Sequence, residues 1–192
     1  MSKMILNIAA ALFSALMLWN CVEDESTLGD PTVNNDNTYS PTVVKGAINE
    51  QQQKIVNYFF KGANQATGMA YNSSTDKSTL TTGATGMGVM NLIIGVERGW
   101  ISREDATDHI VKIVRFLKTA DRFEGTWAHW YKPDGKITPF GNQEEAGEIV
   151  ETAFMMGGLL TACEYFTGNS DAEKEIRNTT QEFGNPSTGT IS

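Results

Sequence analysis

The sequence predicts an all-α fold. Three observations carry that expectation. Apolar residues recur with a helical period from about Ile48 onward, polar capping residues stand where those runs begin, and no strand–helix–strand alternation of the kind that builds a parallel sheet occurs.

Residues 48–61 read as a first helix, with Ile55, Tyr58 and Phe59 spaced to face a core. A loop rich in Gly, Asn, Ser and Thr follows over residues 62–82. A strongly apolar helix over residues 84–98 comes next, buried nearly all round and ended by Gly99. Ser102 is placed to cap a third helix, and Glu104 and Asp105 sit where the positive end of its dipole favours them. The stripe of that helix is Ala106, Ile110, Ile113, Val114 and Leu117. Residues 121–143 form a longer connection that carries Trp127, His129, Trp130 and Tyr131, and Asp134-Gly135 in it signals a hairpin turn. A fourth helix is expected over residues 145–166 and a fifth over 171–181.

Upstream of these helices, Lys3 precedes an apolar run from Met4 to Trp19 that ends in Leu18-Trp19-Asn20-Cys21. Residues 1–20 therefore read as an export signal, marginally short for a membrane span, and Cys21 as the lipidated first residue of a bacterial lipoprotein. The expectation is a secreted chain, periplasmic or at the outer-membrane surface, held to the membrane by a lipid anchor. Glu23, Asp24 and Glu25 resemble the surface-export signal of some Gram-negative lipoproteins, and read equally as a solvated tether. Residues 21–41 are too poor in apolar groups to offset the entropy of ordering and read as a flexible tether.

A net charge of -8 excludes the clustered cations that a phosphate backbone requires, so no nucleic-acid partner is expected. Two histidines far apart and one internal cysteine give no metal pattern, and no metal or cofactor is expected. Gly83, Gly86 and Gly88 have something of the look of a nucleotide-binding turn. No strand is expected before them, so helix packing or close backbone approach is the better reading. His109 reads as solvated or structural, and Cys163 as a small buried residue.

Glu144, Glu148 and Glu151 recur at intervals of four and three where the fourth helix begins, a spacing that brings carboxylates to one helix face. A solvated acidic first turn would have the same spacing. The nearby segment Trp127-Ala128-His129-Trp130 adds the flat aromatic surfaces that pack on sugar rings, making Trp127, His129 and Trp130 candidate sugar contacts. Aromatic packing within the loop is the alternative.

Several ordered motifs carry a resemblance. They are Thr85-Gly86-Met87-Gly88, then Gly95-Val96-Glu97-Arg98-Gly99-Trp100-Ile101-Ser102-Arg103-Glu104, then Gly125-Thr126-Trp127-Ala128-His129-Trp130, Ile137-Thr138-Pro139-Phe140, and the run from Gly147 to Ala162. Together they resemble the bacterial glycoamylase-like proteins, a group that includes endo-β-1,2-glucanases of glycoside hydrolase family 144. The resemblance implies an (α/α)6 toroid whose site lies at the mouth of the inner helix ring, and hydrolysis of a β-glucan with inversion. It places Glu144, Glu148 and Glu151 on the three acids of a motif that typically reads Asp-Asn-Gly-Gly-Asp-Leu-Val-Glu-Thr. Two of them are Glu where the family has Asp, and Ala146 replaces a glycine. Such a change of length moves a carboxylate by about an ångström, which can alter rate or substrate.

Only about five of the toroid's twelve helices are expected here, so residues 42–183 read as an N-terminal part of that domain. Residues 184–192 lose helical character abruptly. One extra T before the Gly184 codon permits Trp-Glu-Ser-Val-Asp-Trp-Asp-Tyr-Phe, which restores it, so a frameshift is the expected cause. The competing expectation for function is a non-catalytic surface lipoprotein that binds glycan or joins an outer-membrane assembly.

Overall fold

The computed structural model describes residues 41–139 and 147–184, the side chains of residues 41–44 excepted. The export segment with Cys21, the tether as far as Ser40, Glu144 and the tail beyond Gly184 lie outside the described residues. The chain divides into two units, Met1–Val44 and Lys45–Ser192, and the first contributes only the opening turn of one helix to the described residues.

Five helices are described: α1 (Pro41–Phe60), α2 (Thr82–Glu97), α3 (Arg103–Thr119), α4 (Ile149–Tyr165) and α5 (Asp171–Phe183). Between them run five two-residue strands: β1 (Leu80–Thr81), β2 (Arg122–Phe123), β3 (Thr126–Trp127), β4 (Trp130–Tyr131) and β5 (Ile137–Thr138). Two residues are too few for alternation to register, so the sequence marks only the β4–β5 turn, and β1 stands directly before α2 where no strand was expected. Antiparallel pairing joins β1 to β4 and β4 to β5, while β2 and β3 form a separate hairpin. Asp134-Gly135 does lie in the β4–β5 turn, where Gly135 has a φ of +85°. The β2–β3 turn at Glu124-Gly125 has positive φ at both residues, the conformation that favours a two-residue hairpin.

Helix α1 begins seven residues before the expected start. Pro41 opens it, its fixed φ suited to a first helical position, and residues 45–50 are all exposed, so no apolar stripe marks the first turns. The face turned to the core is also displaced from expectation. Val56 is buried and Phe60 packs on the core, whereas Ile55 is largely exposed.

Helices α2 and α4 form the most intimate pair. A Cβ at Gly86 would overlap the backbone of Phe154 and Met155, and one at Gly158 would overlap the backbone of Gly86. Glycine is required there because the two helix backbones touch. On another side of α2, a Cβ at Gly88 would fall 2.5 Å from the Phe59 ring and one at Gly95 2.8 Å from Val56 Cγ1, so α1 crosses over these glycines. The glycines over residues 83–95 are thus packing surfaces. Burial of α2 is incomplete, since Met87 and Ile94 are exposed.

Helices α3 and α5 pack on each other. Each starts with a serine cap, Ser102 accepting from Asp105 N–H (3.0 Å) and Ser170 from Glu173 N–H (3.3 Å). Arg103 reaches from α3 to the buried Glu173 of α5 at 2.7 Å. The core between the layers holds Leu92, Ile110, Ile113, Leu117, Met155, Leu159, Phe166 and Ile176.

Candidate functional site

The site forms where the N-termini of α2 and α4 meet the segment from Trp127 to Trp130. An α-helix leaves its first N–H groups without intrahelical partners. Thr81, the capping residue of α2, makes no side-chain cap. Remote groups serve instead: Thr82 N–H donates to His129 O (3.1 Å), and Gly83 N–H donates to Glu151 Oε2 (2.6 Å). The buried Thr82 hydroxyl donates to Ala128 O (2.6 Å), which ties the same segment down a second time.

The start of α4 differs from expectation. Glu148 is its capping residue, outside the helix proper, and its Oε2 accepts from Glu151 N–H (3.3 Å). Glu148 therefore does not share a helical face with Glu151 but reaches forward to it as a cap, and Glu144 lies outside the described residues. Just before the cap, Gly147 lies against Thr126 and the Phe123 carbonyl, where a Cβ has no room. Glu148 N–H then donates to Trp127 O (2.8 Å), while Thr152 Oγ1 accepts from Trp127 N–H (2.9 Å).

Convergence nevertheless follows by this other route. His129 Nδ1 lies 3.7 Å from Glu151 Oε1, with the His129 side chain 28% exposed and that of Glu151 14%. His129, Glu148 and Glu151 each bring one side-chain donor atom into a set whose members all lie within 4.8 Å of one another. Glu151 sits at the positive ends of two helices at once, which favours a negative group there. Gly83 admits it, since a Cβ would fall 2.7 Å from Glu151 Oε2.

The candidate sugar contacts divide. Trp130 is half-buried and lies edge-on to His129, with centroids 5.0 Å apart. Trp127 is 0% exposed and cannot stack on a sugar. Its ring is held edge-on to Phe183 (5.0 Å) under the Arg122 guanidinium (4.5 Å), and Nε1 donates to Leu117 O (3.3 Å). It belongs to the core because β3 alternates and turns its second residue inward. Sequence reasoning missed Gly83, Thr82 and Thr152 as parts of this site. Only Gly83 left a signal, a glycine opening an apolar helix.

Two buried polar groups lie outside the cluster. Tyr131 OH donates to Asp121 O (2.6 Å) and accepts from Ala128 N–H (2.9 Å), and burial pushes its phenol up to about 12. His109 is buried with Nε2 2.9 Å from Gly68 O, and burial lowers its pKa from the ordinary value.

No protein-family model matches the sequence. Known proteins do match. An exo β-1,2-glucooligosaccharide sophorohydrolase of Parabacteroides distasonis is 36% identical over 143 residues, which is 73% of this chain and 20% of that protein. The solved endo-β-1,2-glucanase of Chitinophaga pinensis, in complex with sophorotriose and glucose, superposes with a TM-score of 0.69 at 35% identity, over 78% of this chain and 37% of that one. The chain belongs to the glycoamylase-like family. A solved β-1,2-glucanase of Parabacteroides distasonis gives a TM-score of 0.69 at 34% identity over 72% of this chain and 20% of that one. The glycoamylase-like chain thus has part of an (α/α)6 toroid, with five helices described, and it spans a fifth to somewhat over a third of these relatives' lengths.

Proposed function

We propose that the cluster of His129, Glu148 and Glu151 acts in hydrolysis of a β-1,2-linked glucan. The observation that carries this reading is the meeting of two carboxylates and an imidazole, with one carboxylate fixed by the Gly83 N–H, in a chain whose relatives are named for β-1,2-glucan and its oligosaccharides. Inverting hydrolysis needs an acid and a base about 6.5–9.5 Å apart, with a water between the base and the sugar. Glu148 and Glu151 bring oxygens within 4.8 Å, closer than that range, so they do not divide the two roles between them. The cluster instead supplies one carboxyl function. Glu151 is the member assigned to it, because the Gly83 N–H fixes the carboxylate from one side while the other oxygen faces His129. Glu148 orients it from the cap. Glu144 remains the candidate for the opposite role.

Trp130 and His129 are the proposed sugar contacts. Export and lipid anchoring through Cys21 are part of the same proposal, supported by the apolar run that ends there. No described helix is long and apolar enough to cross a membrane.

β-1,2-Glucooligosaccharides titrated into the chain are expected to shift the Trp130 and His129 resonances. A longer protein that carries this segment within a complete toroid is expected to release reducing sugar from β-1,2-glucan. Glu151→Gln should lower that rate by about a hundredfold or more. Binding without release by either protein would favour the glycan-binding reading, and neither binding nor release would overturn both.

A further inference from the structure

We propose that His129, Glu148 and Glu151 form a binding site for a divalent transition-metal ion of the zinc class. The set offers one imidazole nitrogen and two carboxylates, with all three donor atoms within 4.8 Å of one another. Zinc takes nitrogen at about 2.0–2.1 Å and carboxylate oxygen at about 2.0–2.2 Å, so two ligands at a tetrahedral angle stand about 3.4 Å apart. His129 Nδ1 and Glu151 Oε1 are 3.7 Å apart, beyond a good hydrogen bond and close to the span of two ligands on one ion. Only Glu148 has to swing inward, and its single described side-chain bond, 3.3 Å to Glu151 N–H, is long.

The supporting groups resemble those that orient metal ligands. Gly83 N–H holds Glu151 Oε2 at 2.6 Å and leaves Oε1 facing the imidazole. Thr82 fixes the backbone of His129 through its N–H (3.1 Å), which sets where the ring can lie. Partial exposure gives an ion a way in and a water its place as fourth ligand. The mixed donor set selects among cations. Calcium and magnesium seek six or more oxygen ligands or keep their waters, whereas imidazole with carboxylate suits zinc or cobalt.

The site shares side chains with the hydrolase proposal and does not rest on it. An ion held there would occupy both carboxylates, making metal binding and proton transfer to a glycan mutually exclusive.

The test uses the 192-residue chain. Co2+ is titrated in and followed by visible absorption, then displaced by Zn2+ in a calorimeter, with folding of every variant checked by circular dichroism. Expected are a saturating ligand-field band that persists in Cys163→Ser and Glu164→Gln, and affinity about tenfold or more weaker in His129→Ala, Glu148→Gln and Glu151→Gln. The two carboxamide variants keep side-chain size, so a misfolded His129→Ala still leaves the site tested. No saturating band in the native chain, or an equal band in folded Glu148→Gln and Glu151→Gln, would overturn the proposal. No glucan enters this titration, so its failure is distinct from a failure of hydrolysis.

Discussion

His109 is buried against the Phe60 ring, with centroids 5.6 Å apart, and its Nε2 contacts the Gly68 carbonyl. Burial is the main cause of its lowered pKa, Lys112 adds to the lowering, and the Gly68 carbonyl opposes both. The unfolded chain therefore binds this proton more readily than the native one. Stability from this residue is present above the ordinary value of 6.5 and is lost as pH falls below it. Urea unfolding between about pH 5 and 7 should show that loss, and His109→Gln should flatten this part of the curve even if it lowers stability throughout. An unchanged slope in the variant would assign the acid sensitivity to carboxylates elsewhere. The same residue shows what the sequence reveals at this scale. For a histidine on α3 the sequence left solvated and structural readings open, and the burial and the carbonyl 41 residues away that decide between them come only with the fold.

At the scale of elements, the contact between α2 and α4 rests on absent side chains. Gly86→Ala or Gly158→Ala would force the helix backbones apart, and overpacking of this kind costs about 1–3 kcal/mol. Denaturant titration should show a lowered midpoint with little change in slope, and Gly157→Ala, which meets open space, serves as the neutral comparison. The starts of α3 and α5 were legible because serine caps and amphipathic stripes are local features, although α5 runs two residues beyond the expected 181. The starts of α1 and α4 were not, for physical reasons that differ. An exposed opening turn gives α1 no apolar period, and Glu148 at the start of α4 serves as a cap while the backbone at Gly147 packs on Thr126, contacts that no local spacing foretells. Trp127 shows a related blindness. Composition identifies an aromatic segment, but the choice between core and surface depends on Leu117 and Phe183, which only the fold brings beside it.

Across the whole molecule, charge and apolar exposure pull in opposite directions. A net charge of -8 favours dispersal, while α4 exposes Ile149 (74%), Val150, Phe154 and Leu160. Sedimentation at rising protein concentration should show self-association that strengthens with added salt, and Phe154→Lys with Leu160→Glu should weaken it. Concentration-independent sedimentation of the native chain would show that this surface is tolerated in water. The bond between Gly83 and Glu151 has its own bearing on the molecule as a unit, because it joins positions 68 residues apart and caps one helix with the side chain of another. His129, Trp130, Glu148 and Glu151 all lie beyond Gly99, whereas Thr82 and Gly83, whose N–H groups hold His129 and Glu151, lie before it. A protease nick in the turn around Gly99, with the halves then separated, would therefore leave the carboxylates and the imidazole on one fragment but strip them of the amides that orient them, and re-annealing the two pieces would be required to restore that hold.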